Sequence, residues 1–320
     1  MNLTYDILVL THPNYFKYLE DLLNSLNPNE ADSVQLLAVS TSNNDYQQLK
    51  PILKRFPKVN SVITKENKTI ANGRNDLTRY SNSSWCVFLD SDIVLDSEYF
   101  DSLHHALGKV SEKVQAIAGG ISIYEASSLG FWEGYTDMSI YLHGISGASF
   151  DGSLDKFSDL EQKMLEFENL PTKYLQGFNQ IIRNDFLQKA QGFDPKFWSA
   201  EDREIACRIR NLEGEIRFFP KVLARHRYNF SSSDIIQRKR IHGYWYTMLR
   251  KQYPSEKLIP QLTFPRIKHL LSNIVNPPEP YSQSQEGIRY LRIASLAYLG
   301  GLTEGAIRDF AFDEGWNYGS

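Results

Sequence analysis

The sequence has few cysteines, no long apolar run and no strong excess of one charge, and each absence excludes a class of protein. Only Cys86 and Cys207 are present, so neither a disulfide framework nor a thiolate metal site is indicated. No run approaches the roughly 20 apolar residues of a membrane span, and the N-terminus MNLTYDILVL lacks the features of a secretion signal. The net charge of -3 gives no support to nucleic acid as a partner. We therefore expect a cytoplasmic protein.

Apolar runs of strand length alternate with helix-period segments through the first half of the chain. The runs predict strands at 5–11, 34–40, 59–65, 85–90 and 114–124. Between the first two runs, apolar residues recur at helical spacing at Tyr15, Leu19, Leu22 and Leu26. This βαβ pattern predicts an α/β fold with a mostly parallel central sheet, which would bind ligands at the carboxyl ends of its strands.

The periodicity stops in residues 125–173, which are rich in Gly, Ser, aromatic and acidic residues. We expect a functional lid or a substrate-binding insertion there, because long irregular loops in compact domains usually have such roles. Regular patterns then predict a strand within 174–183, a helix at 201–212, a strand at 215–226, and helices at 232–251 and 286–310. The chain is therefore expected to form a domain of residues 1–230 and a helical C-terminal extension of residues 231–320.

The stretch FLDSDIVLD, residues 88–96, places Asp90, Asp92 and Asp96 at the end of the fourth apolar run. Carboxylates at the ligand-binding edge of a sheet are hard oxygen ligands, which suit Mg²⁺ or Mn²⁺ carrying a diphosphate. Alternatively, Ser91 or Asp92 caps the helix that follows. The motif alone leaves both interpretations open.

Further segments supply the context of this motif. They are ENKTIANGRNDLTRYSNSSWCVFLDSD, LQGFNQIIRNDFLQKAQGFDPKF, WSAEDREIACRIR and FFPKVLARH. In their order and spacing, these segments resemble the inverting glycosyltransferases of family 2 over roughly residues 5–226. The resemblance implies the GT-A fold, a Rossmann-like sheet flanked by helices, with a nucleotide-sugar-binding half at 1–125 and an acceptor-binding half at 126–230.

The same resemblance implies the chemistry. The donor would be a nucleotide-diphosphate sugar, expected to be a UDP-sugar, and the acceptor a glycan or glycolipid. A divalent cation, Mn²⁺ or Mg²⁺, would neutralise the leaving diphosphate. Asp92 and His226 are the expected metal ligands, and Asp90 would contact the ribose or reach the metal through water. Arg74 would meet the nucleotide base or phosphate; Asn75 would contact the donor or cap the helix that follows.

A general base must take the proton of the acceptor hydroxyl, and Asp202 is the candidate that the resemblance favours. Asp202 precedes the buried stripe of Ile205 and Ile209 on the predicted 201–212 helix and lies on the same face at its open end. An acid in a first helical turn is also favoured by the helix dipole without any catalytic role. Glu201 would orient the acceptor or support the base, and Trp198 would contact the acceptor.

The remaining residues implied for donor binding are Thr11, Pro13, Ser40, Ser91, Gly177 and Asn179. One departure from the family affects the nucleotide base. Where many members end the second strand with acids that read uracil and ribose, this chain has AVSTSNND, so Ser40, Ser42 or Asp45 would serve.

Two rival functions use the same residues differently. A haloacid-dehalogenase-like phosphohydrolase would use Asp90 as its nucleophile, with Glu201 and Asp202 as a later acidic pair, but would leave Arg74 and Asn75 unexplained. A non-catalytic, transferase-like scaffold would be expected to have lost part of the motifs. A Rossmann dehydrogenase is disfavoured, because no G-x-G-x-x-G follows the first strand.

The C-terminal extension has two interpretations. The segment RIASLAYLGGL, residues 292–302, lies close to Arg289 and to the basic cluster at 238–240, so it could rest on the inner face of an anionic membrane. Alternatively, the extension packs on the catalytic domain or forms a homodimer contact.

Overall fold

The computed structural model describes residues 4–26, 28–146, 157–255 and 263–307. The strands are β1 (Tyr5–Thr11), β2 (Val34–Val39), β3 (Asn60–Thr64), β4 (Trp85–Asp90), β5 (Ile93–Leu95), β6 (Val114–Ala126), β7 (Leu170–Pro171), β8 (Asn179–Arg183) and β9 (Glu215–Tyr228). The α-helices are α1 (Phe16–Ser25), α2 (Asn43–Arg55), α3 (Ile70–Thr78), α4 (Tyr99–Lys109), α5 (Ser128–His143), α6 (Phe157–Leu165), α7 (Asn184–Lys189), α8 (Glu201–Asn211), α9 (Ser232–Gln252), α10 (Phe264–Val275) and α11 (Gln285–Ile307). Short 3-10 helices lie at Pro13–Tyr15, Pro28–Ser33 and Tyr281–Gln283.

The strands form one mixed sheet in the order β3-β2-β1-β4-β8-β6-β9-β5, and β7 pairs with β9. The strands β1 to β4 pair in parallel, because a helix connects each to the next. Strands β5, β7 and β8 pair antiparallel with their partners. The predicted α/β fold, with a mostly parallel central sheet, flanking helices and a helical C-terminal region, is confirmed.

The parallel strands bring several predicted site residues to one edge of the sheet. Leu10 pairs with Asp90 across β1 and β4, and Thr11 pairs with Ala38 across β1 and β2. The carboxyl ends of these strands therefore lie side by side, and Ser40 follows β2 at the same edge. This is the edge where α/β sheets bind ligands.

The short strand β5 fixes the position of Asp92. Ile93 pairs with His226 in antiparallel register, and the backbone N–H of Arg227 donates to the carbonyl oxygen of Asp92 at 3.3 Å. Two residues far apart in the sequence, Asp92 and His226, are thus held together by the ladder between β5 and β9.

The expectation of an irregular lid at 125–173 is wrong for the part that the structure describes. Helices α5 and α6 and strand β7 lie there, while residues 147–156 are outside the described ranges. Buried residues of α5, such as Leu129, Glu133 and Met138, lie on more than one side of the helix, so the sequence shows no single apolar stripe. Helix α10 also went unpredicted.

The chain divides into two compact units. The first contains residues 1–124, 138–150 and 158–227, and the second contains 125–137, 151–157 and 228–320, as far as these ranges are described. Every predicted site residue belongs to the first unit. The boundary at residue 230 and the two halves of the catalytic domain stay predictions. No helix in the described part of the chain is long and apolar enough to cross a membrane.

In the second unit, glycines allow α11 to lie very close to α9. A Cβ added at Gly301 would lie 1.9 Å from the backbone oxygen of Arg240, and one at Gly243 would lie 2.4 Å from that of Tyr298. The adjacent Gly300 is different, because a Cβ there would have no neighbouring atom within 4 Å. Gly301 is therefore required by packing, and Gly300 is not.

This difference predicts opposite effects for two neighbouring substitutions in α11. Gly301→Ala should lower the free energy of unfolding by about 1–3 kcal/mol, because the two helices must move apart. Gly300→Ala should raise it by up to about 1 kcal/mol, because alanine favours a helix. Urea unfolding followed by circular dichroism measures both, and equal effects of the two substitutions would contradict the packing described.

Candidate active site

Arg74, on α3, connects three separate segments of the chain. Its Nη1 donates to Oε1 of Glu201 at 2.6 Å, and its Nη2 donates to Oδ1 of Asp90 at 3.1 Å and to the carbonyl oxygen of Gly177 at 2.5 Å. The end of β4, the loop before β8 and the start of α8 therefore meet at one guanidinium group.

Local sequence brings Arg74 to this place. Thr69 caps α3, and its hydroxyl accepts a hydrogen bond from the N–H of Asn72 at 3.1 Å. A Cβ added at Gly73 would lie 2.6 Å from a side-chain carbon of Leu10, so the glycine lets α3 pack closely against β1. The next residue, Arg74, then reaches the carboxyl end of β4.

Arg74 was predicted to contact the nucleotide, but its side chain is directed into the protein. Only 2% of the residue is exposed, and the rings of Phe88 and Phe193 lie 6.0 and 5.6 Å from its guanidinium carbon. A buried guanidinium with this many protein partners positions other groups. We therefore assign Arg74 a positioning role.

The two acids of the Asp-x-Asp motif have different surroundings. Asp90 pairs with Arg74, and 39% of its side chain is exposed. Asp92 instead faces His226, with its Oδ2 3.5 Å from Nε2 of the imidazole, and the ring of Phe178 lies 4.9 Å from that of the histidine. Asp92 and His226 form the pair that could hold a cation.

The alternative in which Ser91 or Asp92 caps the following helix is wrong. Strand β5 follows these residues, and α4 begins only at Tyr99. Asp96 lies in the turn before α4, where its Oδ1 accepts a hydrogen bond from the backbone N–H of Glu98 at 3.1 Å.

Glu201 and Asp202 open α8 in different environments. The preceding Ala200 has a left-handed backbone with φ of 65°, an unusual conformation for a residue other than glycine and one often found at functional sites. Glu201 is only 5% exposed, whereas Asp202 is partly exposed and its Oδ1 accepts from the N–H of Arg203 at 2.8 Å. A Cβ at Gly177 would lie 3.8 Å from a carboxylate oxygen of each acid, so the glycine leaves room beside both.

The electrostatics of the site are dominated by carboxylates. Burial raises the pKa of Glu201 to about 7, Arg74 opposes this shift, and Asp202 and Asp90 add to it. The pKa of Asp90 is also raised, by removal from water and by Asp92, while Arg74 and His226 oppose the rise. A diphosphate would be repelled by this set of acids unless a cation accompanied it.

Several residues predicted to bind the donor are bonded within the protein. Oγ1 of Thr11 donates to Oγ of Ser91 at 2.9 Å, and the hydroxyl of Ser40 donates to the carbonyl oxygen of Ser42 at 3.2 Å. Pro13 starts the first 3-10 helix and is partly buried. Thr11, Pro13 and Ser40 therefore place hydroxyl and backbone groups at the edge of the sheet where α/β folds bind ligands.

Asn179 is fully buried, and its side-chain amide is hydrogen-bonded to other groups of the protein. Its Oδ1 accepts from the hydroxyl of Tyr99 at 2.8 Å, and its Nδ2 donates to the carbonyl oxygens of Val222 and Gly120 at 2.9 and 3.3 Å. These bonds tie β8 to its surroundings, so we leave Asn179 out of the proposed donor site.

Ser42 and Asp45, which could have read the base, form a capping box at the start of α2. The carboxylate of Asp45 accepts from the hydroxyl and N–H of Thr41 and the N–H of Ser42 at 2.8 to 3.1 Å. Hydrogen bonds from these two residues lower the pKa of Asp45.

Asn75 has a role that the sequence did not indicate. It lies within α3, so it does not cap a helix. Its side chain makes two hydrogen bonds with the backbone of Phe193, donating at 2.8 Å and accepting at 2.7 Å. Gly192 beside it has a φ of 75°, and a Cβ there would lie 2.3 Å from Oδ1 of Asn75. Asn75 thus holds the turn that precedes Trp198 and α8.

Sequence patterns do not indicate Gln176 as a site residue, because a single glutamine forms no recognisable motif. The residue is fully buried next to Gly177, and neither polar atom of its side chain has a hydrogen-bond partner among the described residues. Buried amides normally find a partner, often a water or a ligand. Trp198, predicted to contact the acceptor, is partly exposed just before Ala200.

The described residues contain no group of three or more His, Cys, Asp or Glu side chains arranged to hold a metal ion. Asp92 and His226 nevertheless supply an oxygen and a nitrogen, which suit Mn²⁺. A six-coordinate cation would need its other ligands from the donor diphosphate and from water. The donor set therefore fits a metal that binds together with its nucleotide.

A family model described as "Glycosyl transferase family 2" matches residues 6–189, more than half of the chain. This chain belongs to glycosyl transferase family 2. The family 2 match includes Arg74 and the Asp-x-Asp motif, while Glu201, Asp202 and His226 lie beyond its end. Membership of family 2 also argues against the phosphohydrolase alternative. No curated protein sequence matches the chain.

Solved structures of other glycosyltransferases share the GT-A fold of this family 2 chain. The mannosyltransferase PcManGT from Pyrobaculum calidifontis, in complex with GDP-Man and Mn²⁺, is 11% identical, with a TM-score of 0.60 over 95% of this chain and 87% of that one. GalNAc-T7, with UDP, GalNAc and Mn²⁺, is 13% identical, with a TM-score of 0.54 over 81% of this chain and 52% of that one. At these identities the similarity concerns the fold alone.

The raised pKa of Glu201 predicts how stability depends on pH. Between the ordinary value of 4.5 and about 7, the folded protein keeps a proton that the unfolded chain has released. The free energy of unfolding should therefore fall as pH rises through this range, by on the order of 1–3 kcal/mol. Glu201→Gln should remove this component, because glutamine does not titrate.

Urea unfolding of the metal-free protein from pH 4.5 to 8 checks this prediction. The difference between the variant and the wild type should change with pH, whereas Glu112→Gln, at an exposed position, should give a constant difference. A pH-independent difference for Glu201→Gln would contradict the raised pKa.

Proposed function

We propose that this chain is a metal-dependent, inverting glycosyltransferase that transfers a sugar from a nucleotide-diphosphate sugar to a hydroxyl of a glycan or glycolipid. The observation that carries this proposal is the set of contacts made by Arg74. Through Asp90 and Glu201 it joins the Asp-x-Asp motif to the Glu-Asp pair, with hydrogen bonds of 3.1 and 2.6 Å. The residues that we propose for donor binding and for activation of the acceptor would therefore act at one site.

Asp92 and His226 would hold the cation, with Asp90 as a ligand through water or as a contact to the ribose. When bound, Mn²⁺ or Mg²⁺ supplies positive charge that offsets the charge developing on the leaving diphosphate. The ladder between β5 and β9, which holds Asp92 beside His226, and the Arg74–Asp90 pair would keep these side chains in place before the donor arrives. PcManGT and GalNAc-T7 were both solved with Mn²⁺, which supports Mn²⁺ as the cofactor.

The donor nucleotide would lie over the ends of β1 and β2. At this edge lie Thr11, Pro13 and Ser40, and Ser91 follows the neighbouring strand β4. The side chains of Ser42 and Asp45 are bonded in the capping box of α2. Among the described residues that follow β2, no acid is thus free to read the base. We propose a UDP-sugar as the donor, and GDP-sugars belong in the same test because one of the compared proteins binds GDP-Man.

Asp202 is our proposed general base. It is partly exposed at the open end of α8, with Oδ2 directed toward the space beside Gly177. Glu201 is the less suitable base, because it is buried and one of its oxygens accepts from Arg74. Glu201 would therefore support the base, and the acceptor would rest against Trp198. A cytoplasmic location remains our prediction.

The metal site predicts the behaviour of Asp92→Ala. Ligands that bind only the folded state raise its melting temperature, so UDP or GDP with Mn²⁺ should stabilise the wild type more than either component alone. Asp92→Ala should lose this joint shift, because one of two protein ligands is removed. Asp96→Asn, a change in the same stretch, should keep it.

A thermal-shift panel of nucleotides and nucleotide sugars, with Mn²⁺ or with EDTA, makes this measurement. The proposal fails if no nucleotide stabilises the wild type, or if Asp92→Ala retains the full metal-dependent shift.

The base assignment predicts that Asp202→Asn separates donor binding from transfer. The variant should keep the nucleotide-dependent thermal shift and lose sugar transfer by about 10²- to 10⁴-fold, because a general base contributes about that much. Glu201→Gln, which can still accept from Arg74, should lose less. Transfer rates from radiolabelled donor measure both variants, and the reverse order would make Glu201 the base.

A further inference from the structure

Helix α10 exposes an apolar stripe. Phe264, Leu271 and Val275 are 79%, 46% and 68% exposed, and their spacing places them on one side of the helix. Leu270, on another side, is buried in the second unit. Single exposed apolar residues are common, but a continuous stripe indicates a contact surface.

The charged side chains of α10 itself are all basic. Lys268 lies on the same side as the stripe and His269 follows it, and both are exposed. No Asp or Glu occurs in the sequence between Glu256 and Glu279, so α10 carries no acid at all. An apolar stripe with basic residues and no acid is complementary to an anionic surface that is apolar beneath its charges.

Basic residues of α11 extend this positive region. Arg292 is exposed, and its Nε donates to the carbonyl oxygen of Ile274 at 2.9 Å, which places its guanidinium at the C-terminal end of α10. Arg289, one turn earlier, is also exposed. Arg292 of α11 therefore contributes a cationic group at one end of α10, while Nη2 of Arg289 donates to the hydroxyl of Ser232 on α9 at 3.0 Å.

The segment RIASLAYLGGL of α11, which the sequence suggested for membrane contact, is less suitable. Gly301 packs it against the backbone of α9, and Ala294, Ser295 and Leu302 are buried. Leu296, 56% exposed, is the large apolar residue that this segment presents to solvent. Its packed side belongs to the protein core, so α10 is the better candidate.

We propose that α10 lies on an anionic phospholipid bilayer, with Phe264, Leu271 and Val275 among the acyl chains and Lys268 beside the lipid phosphates. A second copy of the chain fits the stripe less well, because a two-fold contact would bring Lys268 of one copy close to Lys268 of the other. A bilayer surface satisfies both the apolar side chains and the positive charge. This inference concerns the second unit and does not depend on the proposed reaction.

Vesicle co-sedimentation tests the proposal with the whole chain, without nucleotide or metal. The protein should sediment with vesicles of phosphatidylcholine and phosphatidylglycerol and much less with phosphatidylcholine alone. Replacing the stripe, Phe264→Ser with Leu271→Ser and Val275→Ser, should lower the partition coefficient by about tenfold or more, because apolar burial drives interfacial binding. Lys268→Glu should lower it by about tenfold, because it replaces an attracted charge by a repelled one.

Matched controls are available elsewhere on the surface. Leu165→Ser, at an apolar residue 48% exposed on α6, and Lys54→Glu, at an exposed lysine of α2, should leave vesicle binding unchanged. Melting temperatures near that of the wild type would show that the variants fold.

Equal sedimentation of the wild type and the triple variant, or no binding to anionic vesicles, would overturn the proposal. So would a dimer in light scattering that the triple variant abolishes while vesicles bind nothing, because the stripe would then contact a second copy. None of these outcomes affects the proposed glycosyl transfer, which the nucleotide thermal shifts test separately.

Discussion

The buried guanidinium of Arg74 is the interaction on which the site depends. It accounts for the meeting of β4, the loop at Gly177 and α8, because each contributes an acceptor to the same group. Removing one partner of a buried ion pair typically costs about 3–5 kcal/mol, since the other charge is left uncompensated. Arg74, Asp90 and Glu201 therefore form one unit, and none of them can be changed without affecting the other two.

The charges around Arg74 also support the proposal that a cation accompanies the donor. One arginine lies among Asp90, Glu201 and Asp202, and Asp92 adds to the negative charge around Asp90. The excess of negative charge would exclude a free diphosphate, and it would attract a divalent ion that brings the diphosphate with it. With Asp92 and His226 as the proposed direct ligands among the described residues, the protein would leave coordination positions that the donor could fill.

Much of the first unit could be predicted from sequence, because local patterns determine it. The apolar runs predicted β1 to β4, and the ordered motifs predicted the fold and the proximity of Asp92 and His226. The partners of Arg74 could not be predicted, since Glu201 is 127 positions away and no local pattern records the pairing. The capping box of Ser42 and Asp45 follows a local sequence pattern, a serine with an acid three positions later, so these two residues could be assigned to the start of α2 from sequence.

In the second unit, local sequence patterns did not predict the packing of the helices. Residues 128–137 of α5, which belong to this unit, show no single apolar side because the helix is buried around much of its circumference there, so the periodicity fails. In α11, the sequence showed an apolar segment, but only the structure shows that Gly301 commits it to packing against α9.

A crystal structure of the chain with a nucleoside diphosphate and Mn²⁺ tests the central claim most directly. The account predicts Mn²⁺ between the diphosphate and the Asp92–His226 pair, while Arg74 remains bonded to Asp90, Gly177 and Glu201. A cation bound elsewhere, or an Arg74 that leaves these partners to contact the nucleotide, would contradict it.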